Sequence, residues 1–263
     1  MTRLIRTELL KLSTVRVTWI LLAVAAGLSA LFSTLEAYRA GNGSSGVAPI
    51  TTAPGLLTVT TVTGFGMLLA AVLGLVSATG EFRHGSATLT YLATPARGRV
   101  LAAKAVAVAC FGAGFGLVAA TMAVSVGIGF AEARGGPLAL GAGALAGHAA
   151  GAVAGGALLG ALGVALGSLV RSQLAAVIGI FVWAVVIESL IGGLFTAVRP
   201  FLPYTAATTL AGAPLGAAAF GPARTVSGSG GPLPFVAAAA LIAGLAVAVA
   251  LVAGRTTVQR DVT

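Results

Sequence analysis

Charged residues are scarce in this chain, and their scarcity excludes a water-soluble fold. Only 8% of the 263 residues are charged, whereas 58% are hydrophobic and the mean hydropathy is +1.05. Soluble domains carry charge on about a quarter of their residues. A chain of this length cannot cover its surface with so few charges, so its solvent is predicted to be a lipid bilayer.

Residues that perform catalysis or bind metals are also few. The chain has two histidines, His84 and His148, one aspartate, Asp261, and one cysteine, Cys110. A Ser-His-Asp triad would need an aspartate that stands two residues from the end, and no Gly-x-Ser-x-Gly turn is present. A single cysteine forms neither an internal disulfide nor a zinc site. The sequence therefore predicts a protein that is not an enzyme and binds no cofactor or metal of its own.

An ATP-binding loop is missing as well. The phosphate-binding pattern Gly-x-x-x-x-Gly-Lys-Ser/Thr requires a lysine directly after a glycine. The two lysines of the chain, Lys11 and Lys104, follow Leu10 and Ala103. The chain therefore cannot hydrolyse ATP by that route, and any energy source must be a partner or an ion gradient.

The basic residues give a net charge of +9, and their placement points to a membrane. They form short clusters between apolar runs, without the interleaved aromatics of a nucleic-acid surface, so no nucleic-acid partner is predicted. With the N-terminus inside the cell, only four of the fifteen basic residues fall outside, namely Arg39, Arg134, Arg199 and Arg224. This asymmetry predicts that both termini are cytoplasmic.

Six apolar runs are long enough to cross the bilayer as helices, which takes about 20 residues each. They cover residues 17–35, 56–79, 105–131, 138–169, 173–197 and 233–253. The predicted fold class is an all-α integral membrane protein, a single transmembrane domain over residues 1–263 with six transmembrane helices.

The first sixteen residues predict an amphipathic helix on the inner membrane surface. Its apolar side chains fall on one side of a helical wheel, although Glu8 intrudes there. The apolar run that follows is longer than the core of a cleaved signal peptide, which spans about 7–15 residues, so the segment is predicted to remain as an anchor.

Three loops connect the predicted spans. Residues 36–55 are rich in glycine and serine and predict a flexible outer loop. Residues 80–104 form the predicted cytoplasmic loop, in which Arg97, Arg99 and Lys104 anchor the next span to the lipid headgroups. Residues 198–232 contain five prolines, so they are predicted to lie at the outer interface, covered by protein, without a spanning helix.

The cytoplasmic loop has features that a loop needed only for topology does not require. Its middle, residues 86–92, predicts a short helix that Thr94-Pro95 terminates. Glu81, Arg83 and His84 stand before this helix, and Leu89, Tyr91 and Leu92 give it a surface that a partner could bury.

This loop, GEFRHGSATLTYLATPARGRVLAAK, resembles the loop between the second and third spans of ABC transporter permeases of the type-2 export family. The amphipathic N-terminal helix, the six spans and the segment RPFLPYTAATTLAGA resemble that family too; Ser86 stands where the family often has threonine. The resemblance implies a permease of the bacterial cytoplasmic membrane that works with a second permease copy, as a homo- or heterodimer. It also implies separate ATP-binding subunits that carry ATP and magnesium, with residues 81–95 as the coupling element. The residues that the resemblance implies would contact the ATP-binding subunit are Glu81, Phe82, Arg83, His84, Gly85, Leu89 and Tyr91.

Glycines repeat every fourth residue along the fourth predicted span, at Gly143, Gly147, Gly151 and Gly155. Small residues at this spacing let helices approach closely in lipid, so the repeat predicts helix packing. A place in a substrate path is the alternative that this pattern leaves open.

Glu188 and His148 are isolated polar residues inside predicted spans. A carboxylate within a span costs about 2.5–3.5 kcal/mol on insertion scales, so Glu188 should face protein or water. It is either part of a polar cavity that meets a cationic substrate or a hydrogen-bonded link between helices. His148 stands at a comparable depth when counted from the outer side, so the two could meet, although the depths differ by several residues when counted from the inner turn at Arg171. His148 is either a core histidine that hydrogen-bonds within the protein or a functional residue.

Two other functions remain open from the sequence. The chain could be a membrane anchor or immunity-type protein that binds a partner without transport. It could also be an ion-coupled carrier with Glu188 as the protonation site, although the paired broken helices typical of carriers are not evident.

Overall fold

The structure is a computed structural model that describes residues 1–41, 47–83, 97–136, 139–170, 172–213 and 232–260. Within these ranges the chain is helical and contains no strand. Six of the described helical segments are long and apolar enough to cross a membrane, which confirms the all-α membrane fold. These segments are Arg16–Arg39, Ala53–Gly80, Gly98–Ala133, Ala142–Leu169, Gln173–Leu194 and Phe235–Arg255.

Ten α-helices make up the described fold. They are α1 (Thr2–Thr14), α2 (Arg16–Arg39), α3 (Ala53–Thr60), α4 (Gly64–Arg83), α5 (Arg97–Ala133), α6 (Ala142–Leu169), α7 (Gln173–Phe181), α8 (Glu188–Leu194), α9 (Pro203–Leu210) and α10 (Phe235–Arg260). A π-helical turn, Val182–Ile187, joins α7 to α8, and a 3-10 turn, Arg199–Phe201, precedes α9.

The second span lies at the centre of the bundle. In the most apolar 18-residue stretch of this span, 89% of the residues are buried within the chain. The corresponding shares in the fifth and sixth spans are only 17% and 11%. Helix α6 packs against α4 on one side and α5 on another, and α10 packs on α6. The peripheral spans direct large apolar side chains outward, as a surface covered by lipid requires.

The second span is broken, where the sequence predicted one continuous helix over 56–79. Helix α3 ends at Thr60 and α4 begins at Gly64. The hydroxyls of Thr60 and Thr61 both donate to the carbonyl of Leu57 at this break. A run of β-branched threonines is a poor helix former, and its hydroxyls offer the backbone alternative partners.

The third span is longer than predicted, and helices extend into both ends of the region that was predicted as the cytoplasmic loop, residues 80–104. Helix α5 begins at Arg97, inside the region predicted as loop 80–104, and α4 continues to Arg83. At 37 residues, α5 is about 55 Å long, well beyond the hydrocarbon thickness of about 30 Å. The apolar run marks the part of a helix that lipid surrounds, but the helix itself can continue into water.

The remaining boundaries differ by less. The fourth span begins at Ala142 instead of residue 138, the fifth ends at Leu194, and the sixth extends from Phe235 to Arg260. The proline-rich segment predicted at 198–232 contains the short helix α9 in its described part. Tyr204 and Leu210 of this helix are buried, so protein does cover it.

Close helix contacts on α6 occur where glycine removes the side chain. A Cβ added at Gly151 would collide with the carbonyl oxygen of Leu210, and one at Gly155 would lie 2.7 Å from the sulfur of Met67. Gly156 abuts the carbonyl of Gly112 in α5, and Gly163 abuts that of Ala71 in α4. Backbones therefore touch directly along most of this helix.

The predicted packing stripe does not extend to its first two members. Gly143 and Gly147 are exposed, and a Cβ at either position would meet no atom within 4 Å. The regular spacing therefore continues at two positions beside which no described helix packs.

This contrast predicts the effect of adding one methyl group. Gly151→Ala should destabilise the bundle by roughly 1–3 kcal/mol, the usual cost of overpacking, because the carbonyl of Leu210 must move. Gly147→Ala on the same helix should leave stability unchanged or raise it slightly. Thermal unfolding of the purified protein in detergent measures both. Equal melting temperatures for the two variants would contradict the packing described here.

Candidate functional site

The seven residues predicted to contact a partner lie at or beyond the end of α4. Glu81, Phe82 and Arg83 belong to the last turn of α4, and His84, Gly85, Leu89 and Tyr91 lie outside the described residues. The structure does describe how the two helices on either side of residues 84–96 are held together.

Lys104 joins three helices at this end of the bundle. Its Nζ donates to Glu8 Oε2 of α1 over 2.9 Å and to the carbonyl oxygen of Ser77 in α4 over 3.4 Å, while Lys104 itself belongs to α5. Lys11 Nζ lies 2.6 Å from the other oxygen of Glu8. Both lysines of the chain therefore bind the same carboxylate.

The pair of Glu8 and Lys104 is buried, and each residue is at most 6% exposed. Burial alone would raise the pKa of Glu8, but the positive charges of Lys104 and Lys11 outweigh it, and the pKa lies below its usual value. A buried ion pair contributes little net stability, but removing one partner leaves an uncompensated charge at a high cost. The position of α1 on the bundle thus depends on this contact.

This arrangement corrects the role predicted for Lys104. The sequence predicted that Lys104 binds the lipid headgroups, but the side chain points into the protein and binds α1. Glu8 appeared only as an exception on the apolar side of the N-terminal helix. An acid on an apolar helix face and a lysine at the start of an apolar run each signal a buried partner, but their 96-residue separation hides the pairing.

Glu188 binds the N-terminus of α9. Its Oε1 accepts from the backbone N–H of Tyr204 at 2.9 Å, and its Oε2 accepts from the N–H and the hydroxyl of Thr205 at 2.9 and 3.1 Å. Pro203 has no N–H, and the N–H of Ala206 is bonded to the carbonyl of Leu202. Glu188 therefore satisfies the donors that the first turn of α9 would leave unpaired, at the positive end of the helix dipole.

The π-helical turn aligns a fourth donor with this carboxylate. Trp183 Nε1 donates to Glu188 Oε1 over 3.1 Å, across five residues. Backbone hydrogen bonds in a π-helix join residues five apart, and the widened turn Val182–Ile187 likewise brings the indole and the carboxylate to one side of the span. Glu188 is 3% exposed, and both of its oxygens are occupied.

His148 holds the other end of the same short helix. Its Nδ1 bonds to the carbonyl oxygen of Ala211, the residue that follows α9. The sequence allowed Glu188 and His148 to meet, but no described hydrogen bond joins them. They bind opposite ends of α9, an eight-residue helix about 12 Å long. These contacts favour the structural interpretation of both residues.

Removing one member of the ion pair should loosen α1. Lys104→Met should destabilise the protein by roughly 3–5 kcal/mol, because Glu8 loses its buried partner. The double variant Glu8→Leu, Lys104→Met should recover most of this loss, since an apolar pair of similar volume carries no charge to desolvate. Thermal unfolding in detergent at neutral pH measures each variant.

Lys11→Met is the matched control, because the Lys11 side chain is 46% exposed and such pairs contribute at most about 1 kcal/mol. The pKa of Glu8 in the folded protein lies below its usual value of 4.5. The stabilisation that the ionised Glu8 contributes is therefore complete above pH 4.5, and it is lost as the pH falls through the pKa of the folded protein. The parent should then lose stability on acidification faster than the double variant. A Lys104→Met variant as stable as the parent would contradict the role of this pair.

Changes at Glu188 should destabilise α9. Glu188→Ala removes the acceptor for four donors, whereas Glu188→Gln keeps one acceptor and turns its NH₂ toward an N–H. Each buried donor left unpaired costs about 1–3 kcal/mol, so the glutamine variant should unfold at a temperature between those of alanine and parent. Glu132→Gln, at an exposed carboxylate, should leave the melting temperature unchanged. A glutamine variant that matches the parent would show that fewer bonds form than described.

Comparison with known proteins does not assign the chain to a family. No protein-family model matches it, and no curated protein matches it significantly. The functional conclusion therefore depends on the six spans, the junction at Lys104 and the sequence of the segment between α4 and α5.

Proposed function

We propose that this chain is the membrane-spanning permease subunit of an ATP-driven exporter. Residues 81–95 would couple it to a separate ATP-binding subunit in the cytoplasm, and two permease subunits would form the working unit in the bacterial cytoplasmic membrane. The observation that carries the proposal is the junction at Lys104, which ties together the helices on both sides of this segment.

The junction gives the segment a mechanical connection to the bundle. Ser77 lies six residues before the end of α4, and Lys104 lies seven residues after the start of α5. Because Lys104 binds Ser77 and Glu8, a displacement applied to residues 84–96 reaches α1, α4 and α5 together. An ATP-binding subunit seated there would move three helices as one body, and α4 belongs to the most buried span.

The sequence supports the same assignment from two directions. It lacks the phosphate-binding pattern for ATP, so hydrolysis would belong to a partner that carries ATP and magnesium. It also contains the segment from Glu81 to Lys104 that resembles the coupling loop of type-2 export permeases. The charge asymmetry supports a cytoplasmic position for this segment and for both termini.

An ion-coupled carrier is less well supported. A carrier site must change its protonation or bind an ion during each cycle, but Glu188 already accepts bonds from four donors. Opening that site would unpair the first turn of α9. A simple membrane anchor would have no need for a buried junction that links α1, α4 and α5.

Charge reversal at Glu81 tests the proposal. Glu81→Lys should reach the membrane at the parent level but retain at most a tenth of the bound ATP-binding subunit, because a like-charge contact would replace an attractive one. The measurement is co-purification from cross-linked cells of the native host. Mass spectrometry then identifies partners that contain the phosphate-binding pattern, and ATP hydrolysis is assayed in the eluate.

Glu132→Lys is the control, because it makes the same change at an exposed position near the other end of α5. It should retain the partner fully. If the parent captures no ATP-binding chain, or if Glu81→Lys retains it as well as the parent does, the coupling assignment is wrong.

A further inference from the structure

A cavity of about 420 Å³ lies inside the bundle, between the peripheral fifth and sixth spans and the two helices behind them. Its floor is formed by buried side chains of α4 and α6, such as Leu75 and Leu162, which are 2% and 5% exposed. Its rim is formed by Gly179 and Trp183 of the fifth span and Leu245 of α10, all of which are exposed. The cavity therefore opens sideways, between α7 and α10.

The wall of this cavity offers almost nothing polar to a ligand. Glu188 is the only carboxylate among the described lining residues, and both of its oxygens are already bonded to α9 and Trp183. The indole N–H of Trp183 is used in the same contact. A phosphate, a carboxylate or a metal ion would find no unoccupied polar partner among the described lining residues, whereas a hydrocarbon chain would contact apolar side chains.

The surroundings of the rim indicate what fills the cavity. Water needs two to four polar partners to occupy a cavity, and apolar cavities stay dry or take up apolar molecules. The rim belongs to the two spans with the smallest shares of buried residues, 17% and 11% of their most apolar 18-residue stretches. In a bilayer, the molecules next to such a rim are hydrocarbon chains.

We propose that this cavity binds a single hydrocarbon chain that enters sideways from the bilayer between α7 and α10. The ligand is either the acyl tail of a membrane phospholipid or the alkyl part of a free amphiphile, because the wall recognises only the chain. A volume of 420 Å³ falls in the range of about 300–1,000 Å³ that small-molecule pockets occupy. This site does not depend on the proposed exporter function.

Photolabelling of the floor tests the proposal. The purified chain, reconstituted in phosphatidylcholine nanodiscs, is irradiated with one of two probes, a phosphatidylcholine with a diazirine in its acyl chain or a diazirine fatty acid. Mass spectrometry then locates the labelled residues. Lipid at the outer surface reaches Leu31 and Leu35 of α2, which are 52% and 46% exposed, so they serve as the internal reference. A chain inside the cavity should also label Leu159 or Leu162.

A filled cavity should exclude the probe. A side chain at Gly179 would enter open space, since no atom lies within 4 Å of its Cβ position. Gly179→Leu should reduce labelling of the floor at least tenfold and leave labelling of Leu31 and Leu35 unchanged. Gly193→Leu is the matched control, because it also meets no atom within 4 Å but lies outside the cavity lining. It should leave both signals as in the parent.

The two probes distinguish the sources of the chain. Floor labelling by the phospholipid probe identifies a bilayer lipid as a ligand, and floor labelling by the fatty acid identifies a free amphiphile; either result supports the site. Absence of floor labelling with both probes, or equal floor labelling in Gly179→Leu and parent, overturns it. Cross-links between two copies of the chain at the rim, without floor labelling, would assign the opening to a protein interface and also overturn it.

Discussion

Direct contact between helix backbones is the constraint on which the rest of this structure depends. In lipid, no hydrophobic effect draws one apolar helix to another, so packing must come from close approach. Helix α6 achieves this with glycines that face α4, α5 and α9 in turn, each against a carbonyl oxygen or a backbone atom. With α6 as the common surface, the broken second span is enclosed and the fifth and sixth spans remain at the periphery.

Three polar contacts fix the ends of helices around this packed centre. Glu8 and Lys104 join α1 to α4 and α5, Glu188 caps α9, and Arg134 donates to the carbonyls of Ala37 and Ala40 at the end of α2. In the last two contacts, the side chain is opposite in sign to the helix end that it binds: Glu188 lies at the positive N-terminus of α9, and Arg134 lies at the negative C-terminus of α2. Breaking such a contact leaves a buried polar group with no water to replace its partner, which costs free energy. Each contact therefore holds its helices in a fixed relative position. In the proposed function, the junction at Lys104 is the one that an ATP-binding subunit would move. Pro203 and Tyr204 of α9 line the apolar cavity beside Glu188.

The six spans could be predicted because the bilayer imposes a length and a composition on each segment separately. Their interruptions could not be predicted in the same way. The break at Thr60–Gly64 and the π-helical turn at Val182–Ile187 lie within runs as apolar as any other. Hydropathy measures whether a segment tolerates lipid, whereas the break and the turn depend on hydrogen bonds at particular residues. Similarly, α5 extends beyond its apolar run because only the part of a helix that lies within the lipid must be apolar.

The sequence by itself determined the solvent of this protein, its fold class and the residues that had to find partners. Glu188, His148 and Glu8 could be identified as exceptions, because a lone polar group in an apolar segment requires a partner wherever it lies. Only the tertiary structure decided which partner each one has. Glu8 and Lys104 are 96 residues apart in the chain, and His148 and Ala211 are 63 apart. Such pairings arise from the way the helices pack together, and the sequence pattern of one helix does not indicate which helices lie beside it. The same reason separates Gly151, which touches α9, from Gly147, beside which no described residue packs.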